Sequence, residues 1–202
     1  HLKSETQIIV VIKASAYGSG SEELAKFLEF KKVPYLAVAF IDECKLRLFD
    51  ESLPRIKKCI GLLSEDEIWY RPNAETVSVG NFVLHLCGNV RQWICTGLGR
   101  QADHRERSKE FAEVGPIPTA QLLERLESTM RDARIVIDAI DPPSLIEKRP
   151  VQAYNESGIS ILVHVVEHFS YHTGQITYYT KSRKAVSTGY YEGHNLSQTS
   201  QP

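Results

Sequence analysis

Four stretches of apolar residues at three- and four-residue steps constrain residues 47–184 more tightly than any other feature of this 202-residue chain. Leu53, Ile56, Ile60 and Leu63 make the first, with Pro54 best suited to an opening turn. Val79, Phe82, Val83, Leu86, Val90, Trp93 and Ile94 make a stripe over residues 78–98. Leu122, Leu123, Leu126, Met130, Ala133, Val136 and Ile137 make a third over 119–140, which Asp141-Pro142-Pro143 stops. Ile161, Leu162, Val165, Phe169 and Ile176 make the fourth over 158–181. An amphipathic helix must bury its stripe against another element, so four of this length predict a bundle. A long polar connection, residues 99–118, joins the second helix to the third, and residues 185–202 form a polar tail on which Tyr190 and Tyr191 can dock.

Residues 1–46 follow a different pattern. The Ile/Val run over 7–12 reads as a strand buried on both faces, Tyr17-Gly18-Ser19-Gly20-Ser21 as a turn, residues 22–30 as a helix, and residues 33–40 as a second strand. The whole chain is therefore expected to be mainly α: a four-helix bundle preceded by a short α/β strand-helix-strand segment. Its parts are an α/β fragment (1–46), the bundle (47–184) and the tail (185–202).

A net charge of -1, with 42% hydrophobic and 24% charged residues, provides no field for nucleic acid or an anionic membrane, so a partner is a small molecule or a protein. Cys44, Cys59, Cys87 and Cys95 are scattered without a C-x-x-C pair and read as reduced thiols filling core space. The apolar run near Ile8 is too short to span a bilayer and lacks the basic flank and cleavage site of a signal peptide, which makes a cytoplasmic location the default expectation.

Chemistry concentrates in the histidines. His164, His168 and His172 recur every four residues on the fourth helix and share one face. Two imidazoles at i and i+4 can hold one divalent ion, since their Cβ atoms lie about 5–6 Å apart; a third ligand must come from elsewhere. His85 is the best candidate, because it interrupts an apolar stripe where an unpaired imidazole is costly to bury. A lone histidine in such a stripe is ordinarily a core side chain bonded to a carbonyl; the row on the fourth helix argues for the ligand role. Within that row His164-Val165-Val166-Glu167-His168 also fits the H-x-x-E-H inverzincin pattern, which would make His164 and His168 the ligands and Glu167 a base.

The string from His164 through His168, His172, Gly174 and Gln175 to Ile176, together with Leu84-His85-Leu86-Cys87-Gly88-Asn89-Val90-Arg91-Gln92-Trp93-Ile94, resembles the DinB-like superfamily, in particular its DUF1572 branch. Asp103, Arg105, Arg107, Glu110 and Phe111 are similar to that branch's connecting loop. The resemblance implies a divalent metal, zinc, nickel, iron or manganese, held by His85, His168 and His172, with His164 in a supporting role. It also implies a metal-dependent enzyme, either a thiol transferase or a hydrolase, acting on a small molecule, with a low-molecular-weight thiol as one candidate; a homodimer is expected because such bundles commonly associate through exposed apolar helix faces. One departure is Val77-Ser78 where the family has an asparagine-serine pair, which bears on the helix cap. Residues 11–20 and 35–43 resemble instead the start of the alanine racemase barrel, in which Lys13 would carry pyridoxal phosphate. Only about one and a half βα units of that barrel are present, so no pocket exists to activate the lysine and it reads as vestigial.

Three neutral imidazoles leave coordination positions open, as a catalytic site requires. The alternatives are a metal-binding or dimerisation module without turnover, and a racemase remnant binding pyridoxal phosphate through Lys13. Asn89 and Gln175 are expected to border the site and form structural hydrogen bonds, Glu167 and Tyr171 to point away from it, and Arg105 and Arg107 to lie in a solvated loop or to bind an anionic substrate.

Overall fold

The computed structural model describes residues 36–199, and its framework is four helical rods. Rod I is continuous through α1 (Leu36–Lys45), a wider segment Leu46–Ser52 and α2 (Leu53–Leu62). Rod II runs through α4 (Val79–Val90) into a second wide segment, Arg91–Leu98, after the single turn of α3 (Glu65–Trp69). The connection to rod III carries the short α5 (Arg107–Ala112); rod III is α6 (Thr119–Asp138) and rod IV is α7 (Gly158–Lys184). Between the last two lie a 3-10 turn, Pro142–Ile146, and an antiparallel hairpin of β1 (Lys148–Val151) and β2 (Tyr154–Ser157).

The mainly α bundle expected from the stripes is what forms. Leu48, Ile56, Ile60, Val83, Leu86, Ile94, Leu122, Leu126, Ile161, Val165, Phe169 and Ile176 are fully buried between the rods. One expectation fails: residues 36–40, read as the end of a strand, are helical and begin rod I. A short continuous apolar run has no period that separates a buried strand from a buried helix, and here the run continues into a helix that packs on the bundle. The strand over 7–12, the glycine turn, the helix over 22–30, the start of the second strand and Lys13 lie outside the described residues.

Pro54 lies in the first turn of α2, as expected, although no break precedes that turn. It sits in the interior of rod I, where it lacks an N–H and its ring would strike the carbonyl four residues back. The rod widens immediately before it, with the Leu53 N–H reaching back five residues to the Leu48 carbonyl, and this π-type geometry absorbs the proline without a break.

Salt bridges and side-chain contacts give the direction of each rod. Lys45 pairs with Asp138 and Lys57 with Glu127, so rods I and III are antiparallel. His85 meets His168 and Asn89 meets His164, so rods II and IV are antiparallel. Arg91 pairs with Asp132 while Gly99 abuts Val136, so rods II and III run the same way. The order is up-down-down-up. Two parallel neighbours cannot be joined by a tight turn: rod III, at 20 residues, is about 30 Å long, and the chain must travel back over that distance. Residues 99–118 make the journey and lay α5 against α4 on the way.

Ser78 and Asn81 then cap the start of rod II reciprocally. The Ser78 Oγ accepts the Asn81 N–H at 3.2 Å and the Asn81 Oδ1 accepts the Ser78 N–H at 3.0 Å. Val77-Ser78 thus serves as a cap without the expected asparagine. The Asn81 Nδ2 also donates to the carbonyls of Glu110 and Glu113, at 2.9 and 2.8 Å, and Arg71 donates to Asn81 Oδ1 and to the Phe111 and Glu113 carbonyls. The crossover is thereby pinned to the first turn of rod II, one turn above His85.

Candidate metal centre

The antiparallel packing of rods II and IV sets His85 opposite the histidine row of α7. The Nε2 atoms of His85 and His168 are 3.0 Å apart, those of His168 and His172 are 3.2 Å apart, and one nitrogen from each of the three rings lies within 4.8 Å of the others. His85 and His172 are buried and His168 is half-buried.

Each ring's other nitrogen explains which way its lone pair faces. The Nδ1–H of His172 donates to Gln175 Oε1 at 2.7 Å. The His85 Nδ1 lies 2.9 Å from Glu110 Oε2 and 3.2 Å from an Arg105 nitrogen. Only a protonated Nδ1 is compatible with a carboxylate oxygen at the shorter distance, so His85 donates to Glu110. Both tautomers leave a lone pair on Nε2, and both lone pairs face His168 Nε2. That atom carries one proton or one lone pair and cannot satisfy two acceptors through linear bonds, while His168 Nδ1 is buried without a partner. Three imidazoles arranged this way leave hydrogen-bonding capacity unused. The same nitrogens match a cation: ligands about 2.0–2.1 Å from a tetrahedral ion lie about 3.3 Å from each other.

Burial, with the crowding of the neighbouring imidazoles, pushes the His168 pKa down to about 3. Burial likewise lowers His172 to about 4, against the opposing bond from Gln175. Both rings are therefore neutral and able to bind a cation at neutral pH. Glu110, whose burial opposes ionisation, is nonetheless held below the usual carboxylate range by the hydrogen bonds from His85 and Arg105.

His164 stands one turn away. Its Nε2 meets Asn89 Nδ2 at 3.2 Å, and its ring stacks on Trp93 with centroids 3.7 Å apart. The inverzincin reading of residues 164–168 fits this poorly, since Glu167 is exposed and His164 is occupied with Asn89 and Trp93. Beside His164 opens a cleft of about 300 Å³ lined by Trp93, Gln152, Tyr154, Glu156, Ser160 and His164. The hairpin forms its outer lip, with Trp93 Nε1 donating to Gln152 Oε1 at 3.2 Å. A larger groove of about 600 Å³ lies between rods I and III, around Leu53, Met130 and Arg134, and no histidine borders it.

Gln175 and Asn89 border the cluster as hydrogen-bonding residues, and Tyr171 is exposed, as the helical spacing implies. Arg105 is neither solvated nor free for an anionic substrate: its side chain is 4% exposed and grips Glu110 through Nε–Oε1 at 2.8 Å and NH2–Oε2 at 3.0 Å. Arg107 lies over the Phe111 ring. The role of Glu110 escaped the sequence reading because it arrives from a different segment. The available signal was Gly88, a helix-weakening residue one turn after His85.

A family model described as mycothiol-S-transferase matches residues 46–179, two thirds of the chain. Searches of curated proteins and of solved structures returned no match.

Proposed function

We propose, from the premise that this chain belongs to the mycothiol-S-transferase family, that it is a divalent-metal-dependent transferase joining a low-molecular-weight thiol to a small electrophile. His85, His168 and His172 would hold the ion. The observation that carries this reading is the convergence of three Nε2 atoms whose partner nitrogens are turned outward or left bare. A divalent ion bound by three neutral imidazoles supplies Lewis acidity at its open positions and lowers the pKa of a thiol or water there.

The chain's own residues do the rest. Burial keeps His168 and His172 neutral, Gln175 and Glu110 hold the outward N–H groups so that the rings cannot turn, and the cleft beside His164 offers an aromatic wall of Trp93 and Tyr154 to an apolar substrate. In the transfer, the thiol sulfur bonds to the electrophilic carbon, the leaving group departs with its electron pair, and the thiol proton passes to water. Within the family, the strings at 84–94 and 164–176 favour the DUF1572 branch, and a cytoplasmic homodimer goes with that reading.

The test is metal analysis of the purified protein followed by turnover with small thiols and electrophiles, in the native chain and in His168→Ala. We expect about one ion per chain, product formation that requires thiol, and loss of both in the variant. Failure of the native protein to bind any divalent ion stoichiometrically would refute the reading. Stoichiometric metal without turnover would favour a non-catalytic metal-binding module, and ester cleavage without thiol a hydrolase.

A further inference from the structure

The crossover brings Glu110, Arg105 and Phe111 against His85, and Glu110 is the one whose carboxylate takes the imidazole N–H. Glu110 sits with both carboxylate oxygens engaged. Oε1 receives Arg105 Nε at 2.8 Å, and Oε2 receives Arg105 NH2 at 3.0 Å and His85 Nδ1–H at 2.9 Å. Arg105 is fixed in turn, donating from NH1 to Gln92 Oε1 at 2.9 Å, while Gln92 Nε2 donates to Asp103 Oδ2 at 2.8 Å and Asp103 Oδ1 accepts the Arg105 backbone N–H at 3.0 Å. This closed circuit lies within rod II and the crossover, and Glu110 joins it to His85.

Gly88 makes room for it. A Cβ at that position would meet Glu110 Oε1 at 1.9 Å, its Cδ at 2.7 Å and Arg105 Nε at 3.0 Å. A glycine inside a helix costs about 1 kcal/mol relative to alanine, and here the absence of a side chain is what lets a carboxylate lie flat against the helix at His85. The bidentate guanidinium keeps that carboxylate ionised, so it accepts the imidazole proton by hydrogen bond without removing it.

We propose that Glu110, clamped by Arg105 and admitted by Gly88, is the positioning residue that fixes His85 in its Nδ1–H tautomer and aims its Nε2 at the ion site. The proposal rests on the reading of His85 as a ligand given above. Its consequence is that ion affinity is set from the crossover as well as from the helices carrying the imidazoles. Partners of this type typically change metal affinity 10–100-fold.

The experiment compares the native chain with Glu110→Gln, which keeps the shape and removes the charge, and Gly88→Ala, which keeps the carboxylate and displaces it. Zn²⁺ affinity is measured by competition with a chromophoric chelator, and the tautomer of His85 by imidazole ¹⁵N shifts in the metal-free protein. Far-UV circular dichroism confirms folding. We expect His85 to be a single Nδ1–H tautomer in the native chain, a mixture in both variants, and a fall in Zn²⁺ affinity of about 10–100-fold in each. An Nε2–H tautomer in the metal-free native protein, or native Zn²⁺ affinity in both variants, overturns the proposal. A native chain that binds no Zn²⁺ while its tautomer behaves as described refutes the ligand reading instead, which separates the two failures.

Discussion

Asn81 joins the helical framework to the segment that serves the site, and its replacement is the sharpest test of that junction. Its side chain is fully buried and makes five hydrogen bonds: from the Ser78 N–H at 3.0 Å, the Ser78 hydroxyl at 2.7 Å and Arg71 at 2.9 Å, and to the carbonyls of Glu110 and Glu113 at 2.9 and 2.8 Å. Asn81→Ala removes the return half of the capping pair. It also strands the buried Ser78 N–H and the Glu110 carbonyl, at about 1–3 kcal/mol each. Arg71 continues to serve the Glu113 carbonyl, so that group is not counted. The total is about 2–6 kcal/mol, a fall in Tm on the order of 10 °C for a domain of this size. Urea denaturation gives the free energy. Hydrogen exchange should show the extra opening concentrated at the start of rod II and in α5. Asn81→Asp keeps the acceptor oxygen that serves the cap and loses both donations to the crossover, so its exchange should rise in α5 while the first turn of rod II stays protected. A loss below about 1 kcal/mol in Asn81→Ala, or uniform exchange in Asn81→Asp, would refute the account of Asn81 as the junction.

Three other outcomes follow from the same contacts. His168 and His172 have folded-state pKa values near 3 and 4, below the ordinary value of about 6.5. Between those limits the unfolded chain binds protons that the folded chain does not, so stability of the metal-free protein is complete above about pH 6.5 and declines as pH falls toward 4; urea midpoints across that range check it, and His168→Ala should flatten the slope. Because His168 Nδ1 is buried without a partner, metal-free His168→Ala should lie within about 1 kcal/mol of the metal-free native chain, whereas Zn²⁺ at a thousandfold excess over Kd should stabilise only the latter, by about 4 kcal/mol, read as a Tm difference. Tyr190 ties the tail to rods I and IV through Thr177 at 2.9 Å and Cys59 at 3.0 Å, so Tyr190→Phe should cost about 1 kcal/mol and expose residues near 185 to limited proteolysis.

The rods and the histidine face were legible because both are written in local spacing. Leu122, Leu126, Met130 and Ile137 repeat at helical period and are buried as that period implies, and His168 and His172 share a face by the same arithmetic. The convergence of His85 on that pair was inferable from the demand for a third ligand and from the family resemblance, not from spacing. What spacing cannot carry is direction and return path. The identity of rods II and III as parallel neighbours, and hence the arrival of Glu110 beside His85, depends on contacts such as Arg91 with Asp132. The hairpin escaped for another reason: β1 is Lys148-Arg149-Pro150-Val151, charged and with a proline, and such short edge strands lack a pattern of their own. Leu36 to Phe40 was misread because a brief apolar run suits strand and helix alike.

The up-down-down-up order has a further meaning for how such a protein can change. The three imidazoles ride on two helices whose apolar faces tie them to the core, so they are hard to move without loss of the fold. The obligatory span between rods II and III is bound by no such condition along its polar length, yet it passes within bonding distance of one of those imidazoles. Drift in that span can therefore change what meets the outer nitrogen of His85 while the four rods stay as they were, which makes the route of the chain, more than its rods, the adjustable part of this architecture.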